Sequence, residues 1–193
     1  ATIKKTINKL LSQTLSPDKI IFINSNSKDK TEKIIKKYDN KKFEVYSLRT
    51  QYPSDSKNLG VQLANTELIA FMDCDLDFPN DWLEKSFLLL KKKELDVVLG
   101  TCQLRGFNNF DKATVINTYG HNKITPCIPG TLTKKKVFEK IGYFEQARSF
   151  YDVLWKEKLL KSSFKFLINY DPRLTYFSFN YASSFLGLLK KSS

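Results

Sequence analysis

Residues 68–83 read LIAFMDCDLDFPNDWL. The apolar run Leu68 to Met72 leads straight into three aspartates, Asp73, Asp75 and Asp77, each two positions after the last. A short apolar run bounded by polar residues is the pattern of a buried strand. Pro79 then fits the first turn of a helix through PNDWLEKSFLLLKKK. Carboxylates crowded at the end of a buried strand repel one another and lose hydration, so something should compensate them. Asp73 and Asp75, separated by one residue, can meet a divalent cation from one side while phosphate oxygens of a ligand complete the other. Magnesium and manganese accept such oxygen-rich, partly hydrated sites. The alternative is a turn capped by Asp73, with Asp75 and Asp77 in water.

Working outward, strands and helices alternate. TIKKTINKLLSQTL carries Ile3, Ile7, Leu10 and Leu11 at helical spacing. DKIIFINSNS reads as a strand, and KTEKIIKKY as a helix capped by Asp29 or Ser27. KFEVYSL is a strand, SDSKNLGVQLANT a helix, ELIAFMD a strand and LDVVLGT a strand. The alternation up to residue 101 predicts an α/β fold with a parallel sheet covered on both faces. Ligands of such sheets bind beyond the carboxyl ends of the strands. INSNS, SLRTQ and MDCDLD are strand exits of this kind and make one candidate site.

From Gly106 to Thr125 the pattern lapses, which predicts a functional loop or an irregular subdomain. Order returns at PCIPGTLTKKKVFEKIGYF, whose helix should stop at Gly142. In CIPGT, Gly130 serves a close approach or a simple turn. A helix through DVLWKEKLLKSS, strands FKFLIN and LTYFSF, and a weakly amphipathic tail YASSFLGLLKKSS follow. Trp82 and Trp155 read as core.

The chain has 193 residues, 41% of them hydrophobic and 13% aromatic, enough for one well-filled core. No stretch approaches the length of apolar residues that a membrane span needs. No secretory signal is visible, and the initial alanine points to a piece of a longer product. Cys74, Cys102 and Cys127 are odd in number and widely spaced, which suits free thiols in a reducing compartment. The expected location is the cytoplasm, with peripheral association at the inner face of a membrane. The single histidine, His121, excludes multi-histidine metal sites and reads as a loop residue. The net charge of +12 comes from lysines spread along helices, with arginine only at Arg49, Arg105, Arg148 and Arg173. No arginine-rich or base-stacking segment accompanies it, so nucleic acid is not the expected partner.

KNLGVQLANTELIAFMDCDLDFPNDWLEK resembles the central segment of the inverting family 2 of nucleotide-sugar glycosyltransferases, which have the GT-A fold. LLSQTLSPDKIIFINSNSKDKT is similar to that family's first helix and second strand. GTLTKKKVFEKIGYFEQARSFYDVLWKEKLL is similar to its acceptor-side strand, helix and Glu-Asp segment. The resemblance runs in order over roughly residues 2 to 170. It implies one GT-A-like domain, a mostly parallel sheet flanked by helices. Residues 1–101 would form the nucleotide-sugar half, 102–180 the acceptor side and 181–193 a C-terminal helix.

By the same resemblance, Asp73 lies near the donor ribose and also serves the metal with Asp75, the principal ligand of Mn2+ or Mg2+. Asp152 is the general base that deprotonates an acceptor hydroxyl. Lys57 and Asn58 contact the donor, Lys57 through phosphate or base, and Asn24 and Ser25 occupy the base-reading positions. The implied donor is a nucleoside diphosphate sugar, UDP-sugar first, and the implied acceptor is a glycan or lipid-linked molecule. The chain departs from the pattern in several places. Asn24 and Ser25 stand where carboxylates are usual, Asn26 where glycine is, and Tyr151 where glutamate is. No Gln-x-x-Arg-Trp motif of processive members is present. The family's first strand, whose end lines the nucleotide pocket, does not precede the first helix here. Two readings therefore stand: an inverting, metal-assisted glycosyltransferase, or a GT-A domain that binds nucleotide or glycan without turnover.

Overall fold

The computed structural model describes residues 2–25, 27, 29–106, 109–119, 123–171 and 174–177. Helix α1 (Thr2–Leu11) buries Ile3 and Ile7 at helical spacing. It leads into β1 (Ile20–Ser25), which pairs in parallel with β2 (Phe43–Leu48) across α2 (Thr31–Lys36). The N-cap of α2 is Lys30, not the expected Asp29 or Ser27, and it forms no side-chain cap bond; Asp29, one residue earlier, accepts the Thr31 N–H at 3.0 Å. Ile3, Ile7, Ile20, Phe22 and Ile35 close one small core.

Helix α3 (Pro53–Leu63) has its proline at the start, where the missing N–H costs nothing. β3 (Leu68–Ala70), β4 (Leu76–Asp77) and α4 (Trp82–Lys92) follow. β5 (Val97–Arg105) is the central strand. It pairs antiparallel with β6 (Ile124–Lys134) and parallel with β7 (Phe166–Ile168) and β8 (Leu174–Phe177). β6 also pairs antiparallel with β3, and β8 with β4. Helices α5 (Asn109–Tyr119), α6 (Lys135–Ile141) and α7 (Tyr151–Leu160) complete the described elements.

The class is the expected α/β arrangement of a sheet flanked by helices, and the sheet itself is mixed. The expectation of parallel strands holds for β1 with β2 and for β5 with β7 and β8. The long strand β6 enters between β3 and β5 and runs against both. Gly106–Thr125 is not an irregular segment, for it contains α5 and the start of β6. The β-branched Thr114, Val115, Ile116 and Thr118 weaken its helical signature. His121 and the expected tail helix at 181–193 lie outside the described residues.

Side chains alternate across the sheet as the two-residue period requires. Val97, Leu99, Ile69 and Phe71 pack with Val61, Phe138 and Trp155 on one face. Val98, Leu132 and Leu174 pack with Phe78, Trp82 and Leu83 on the other. Both tryptophans are buried, as expected, and each indole N–H donates to a glycine carbonyl, Trp82 to Gly130 and Trp155 to Gly142. Gly142 ends α6 at φ 88°, its N–H donating to the Phe138 carbonyl. Gly130 has φ 83°, and a Cβ there would meet Leu174 at 2.8 Å, so it serves close packing of β6 on β8.

The β1–β2 pair and the larger sheet do not share a ladder. Between the free edges of β1 and β3 lies a cleft of ≈ 1170 Å³, lined by Ile20–Ser25 on one side and Leu68–Asp75 on the other.

Candidate donor site at the strand exits

The three aspartates of the opening stretch meet three different fates. Asp73 follows β3 and is held from two sides. Lys57 of α3 donates to its Oδ1 at 2.7 Å, and the Tyr176 hydroxyl of β8 donates to its Oδ2 at 2.7 Å. Burial alone would raise this carboxyl, but the Lys57 charge and the two hydrogen bonds hold it below the ordinary aspartate value. Lys57 is likewise penalised by burial, yet the facing Asp73 keeps its pKa above the ordinary lysine value. Protein surrounds the pair closely, while about a third of the Asp73 side chain, 33%, stays open to the cleft.

Asp77 is compensated from α1, where Lys5 at 3.1 Å and Lys9 both reach its Oδ1. These partners outweigh its partial burial and lower its pKa. Asp75 lies between them in sequence and makes no ion pair among the described residues. Burial first, and then repulsion from Asp73, push its carboxyl above the ordinary aspartate value. Cys74, between the two acids, has its thiol pushed up to about 11 by desolvation and then by the Asp73 and Asp75 charges, so without a metal it stays a thiol at neutral pH.

Packing fixes this geometry from beneath. The Thr6 hydroxyl donates to the Cys74 carbonyl. The Gln13 amide donates to the Pro79 carbonyl at 3.0 Å and accepts the Leu83 N–H at 3.0 Å. Helix α1 is thereby stitched along the acidic turn. On the other flank, Tyr151 at the start of α7 lines the cleft and packs edge-on against Phe144. Burial pushes its hydroxyl up, opposed by the nearby Lys57 ammonium.

Asn24, Ser25, Lys57, Asp73 and Asp75 all line the cleft. The Ser25 hydroxyl shares a hydrogen bond with Ser56 at 2.7 Å, and the Asn24 amide reaches Glu32 at 3.4 Å. Asn58 behaves differently. Its amide donates to the Phe144 carbonyl at 2.9 Å and accepts the Phe144 N–H at 3.0 Å, so it ties α3 to the 142–147 segment. Asp152 sits in the first turn of α7 and does not line the cleft. It is not a cap: Phe150 precedes the helix at φ 63° and no side-chain cap bond forms. Its carboxylate, 31% exposed, lies 3.6 Å from Lys156 in the next turn. Sequence reading missed Tyr176 and the cleft-lining position of Tyr151. Tyr176 reaches Asp73 because it pairs with Leu76, and no local signal in LTYFSF announces that register.

Among the described residues no group of three or more acidic, cysteine or histidine side chains converges to hold a metal. The donor set that remains is Asp75, a carboxylate that lines the cleft and makes no ion pair among the described residues. That fits a cation which takes one or two protein carboxylates and completes its shell with phosphate oxygens and water.

The family model for glycosyl transferase family 2 matches residues 1–164. TarS of S. aureus, residues 1–349 in complex with UDP-GlcNAc, is similar in fold at a TM-score of 0.70 and 20% identity, covering 92% of this chain and 55% of that one. The mannosyltransferase PcManGT from Pyrobaculum calidifontis, in complex with GDP-Man and Mn2+, is similar at a TM-score of 0.64 and 14% identity, covering 90% of this chain and 52% of that one. The chain thus spans about half the length of these solved structures. No curated protein sequence matches it.

Proposed function

Because the chain belongs to glycosyl transferase family 2, we propose that it binds a nucleoside diphosphate sugar at the β1, α3 and β3 exits and transfers the sugar to an acceptor hydroxyl. The observation that carries this reading is the division of labour at the acidic turn. Asp73 and Asp77 are neutralised by protein cations and Asp75 is left for an external one. Asp75 is the principal ligand in this account, because Asp73 already spends its charge on Lys57.

A divalent cation bound there, Mn2+ or Mg2+, would supply positive charge to a departing diphosphate. Lys57, next to the same carboxylates, faces the phosphates and shares that charge with Asp73. Asn24 and Ser25 offer amide and hydroxyl groups to the nucleoside, and Asn58 sets the position of α3. UDP is the first choice of nucleotide, supported by TarS, with GDP the alternative raised by PcManGT. Asp152, at the positive end of α7, takes the proton of an acceptor hydroxyl on a glycan or lipid-linked molecule. A displacement assisted in this way from the opposite face inverts the anomeric centre.

A second reading, binding without turnover, draws on one observation: Asp152 pairs with Lys156 and lies off the cleft. Release of nucleoside diphosphate from a panel of UDP- and GDP-sugars, with and without manganese, separates the two. Manganese-dependent release supports the transferase. Manganese-dependent binding with no release supports the second reading, and neither binding nor release contradicts both.

A further inference from the structure

We infer that Tyr151 is a binding residue of the proposed donor site, its phenol O–H donating to the sugar-bearing phosphate of the nucleoside diphosphate beside Lys57. This rests on the donor reading above, which gives Tyr151 no role. Where the resemblance puts glutamate, this chain has tyrosine. A further carboxylate at this end of the cleft would add to the repulsion around Asp73 and Asp75 and compete for Lys57. A carboxylate also only accepts hydrogen bonds, whereas a phenol donates one. Burial raises the Tyr151 hydroxyl above the ordinary tyrosine value, so it keeps its proton at neutral pH. The exchange thus turns an acceptor into a donor at a wall that the diphosphate would face.

The segment before Tyr151 fixes its place. Residues 144–148 are strapped to α3 and its approach, the helix that carries Lys57. The Arg148 guanidinium donates to the Gln51 side-chain carbonyl at 2.7 Å, and the Gln146 amide donates to Asp55 at 3.1 Å. The Ser54 hydroxyl accepts the Ala147 N–H at 3.2 Å and donates to the Ala147 carbonyl at 3.3 Å. Asn58, next to Lys57, holds both backbone groups of Phe144. The Tyr151 ring then packs edge-on against Phe144, with centroids 5.7 Å apart. That support brings Tyr151 to the wall of the cleft, where Lys57 and Asp73 also stand.

Phe150 is the independent sign. It has φ 63° and ψ −2°, a left-handed backbone that a bulky side chain rarely adopts. Its ring is 71% exposed, so burial of Phe150 itself does not repay the turn. Strain of this kind persists where the surroundings over-determine it, and it collects at binding sites. Here the strap on α3 over-determines it, and the turn starts α7 with Tyr151 facing inward. The chemistry is then local. Lys57 has three N–H donors, of which one goes to Asp73 at 2.7 Å. Its ammonium attracts the phenol oxygen and repels the hydroxyl proton, so Tyr151 turns its O–H away from Lys57. No acceptor among the described residues takes that proton. One charged and one neutral donor therefore stand side by side at the cleft, and the oxygens of a phosphate satisfy both.

Tyr151→Phe keeps the ring on Phe144 and removes the hydroxyl alone. Dissociation constants for UMP, UDP and UDP-GlcNAc, all with manganese, are measured in the parent and the variant, with Tm of each unliganded protein. The expected result is UDP affinity lowered about tenfold, the loss of one hydrogen bond to a charged group, with UMP affinity changed by less than about twofold. UDP-GlcNAc should weaken by the same factor as UDP, and Tm should hold. A loss for UDP-GlcNAc with none for UDP moves the hydroxyl to the sugar and overturns the phosphate contact. Equal losses for UDP and UMP show a structural role and overturn it as well. A variant that matches a binding-competent parent for all three ligands fails this inference alone. A parent that binds none of the three fails the donor reading, and the contact falls with it.

Discussion

Lys57 and Tyr176 hold Asp73 from two sides, and the consequence of removing Lys57 is specific. Lys57→Met leaves a carboxylate facing Asp75 with no cation. The cost at neutral pH should be about 1–3 kcal/mol, below the range for a fully buried pair because part of Asp73 is open to the cleft. In the parent, the depressed Asp73 carboxyl contributes stability above its unfolded pKa and loses it as pH falls through the folded value. In Lys57→Met that carboxyl is no longer depressed, so the deficit should shrink as the pH is lowered. Denaturant unfolding of both proteins at neutral pH and at pH near the carboxylate range checks the sign. A deficit that grows on acidification contradicts the pairing. Asp152 belongs to the same scale. A general base acts on the transition state, so Asp152→Asn should lower turnover by about 10² to 10⁴ while donor affinity stays within a few-fold. Donor titration and initial rates on the same preparation measure both, and a collapse of binding would make the residue structural.

At the scale of elements, the apolar runs IIFI, LIAF and VVLG announced β1, β3 and β5 because strands covered on both faces are apolar throughout. Gly142 announced the end of α6, where the backbone takes φ 88° and ψ 171°, a conformation that glycine alone adopts readily. What sequence did not announce is non-local. β4 exists as two residues only through pairing with β8, and that pairing delivers Tyr176 to Asp73. The role of Asn58 was hidden likewise, since its partners belong to Phe144 across the chain. Asp96, unremarked in the sequence, joins three elements. Its carboxylate pairs with Lys134 at 3.1 Å and Lys136 at 2.8 Å and accepts the Lys165 N–H at 3.1 Å. These contacts overcome its burial and hold its pKa at about 2. Asp96→Asn should therefore cost about 2 kcal/mol at neutral pH. The parent's contribution is present above about pH 4 and is lost as pH falls toward about 2, so the two acid-unfolding curves should converge there. A gap that persists at pH 2 would show that charge is not the cause.

Across the whole molecule the chain carries a net charge of +12, and part of its lysine complement is held in local ion pairs. Lysines from α1, α3, β6 and α6 each answer a particular carboxylate. Among the described residues no helix is long and apolar enough to cross a membrane. The fold assembles two sheets whose strand exits at Ser25 and at Asp73 line one cleft, and among the described residues Asp75 of the acidic turn makes no ion pair. The central claim is that Asp75 couples a divalent cation to nucleotide binding. Thermal unfolding of the parent and of Asp75→Asn, with UDP and GDP, each with and without manganese, tests it most directly. Asp75 has a raised pKa, so its charge weakens the folded state as pH rises through that value. Asp75→Asn alone should accordingly be as stable as the parent or slightly more so at neutral pH. In the parent, nucleotide at 100 times its dissociation constant should add about 2.7 kcal/mol with manganese and much less without. The account predicts that this manganese-dependent gain vanishes in Asp75→Asn, and an undiminished gain in that variant would contradict it.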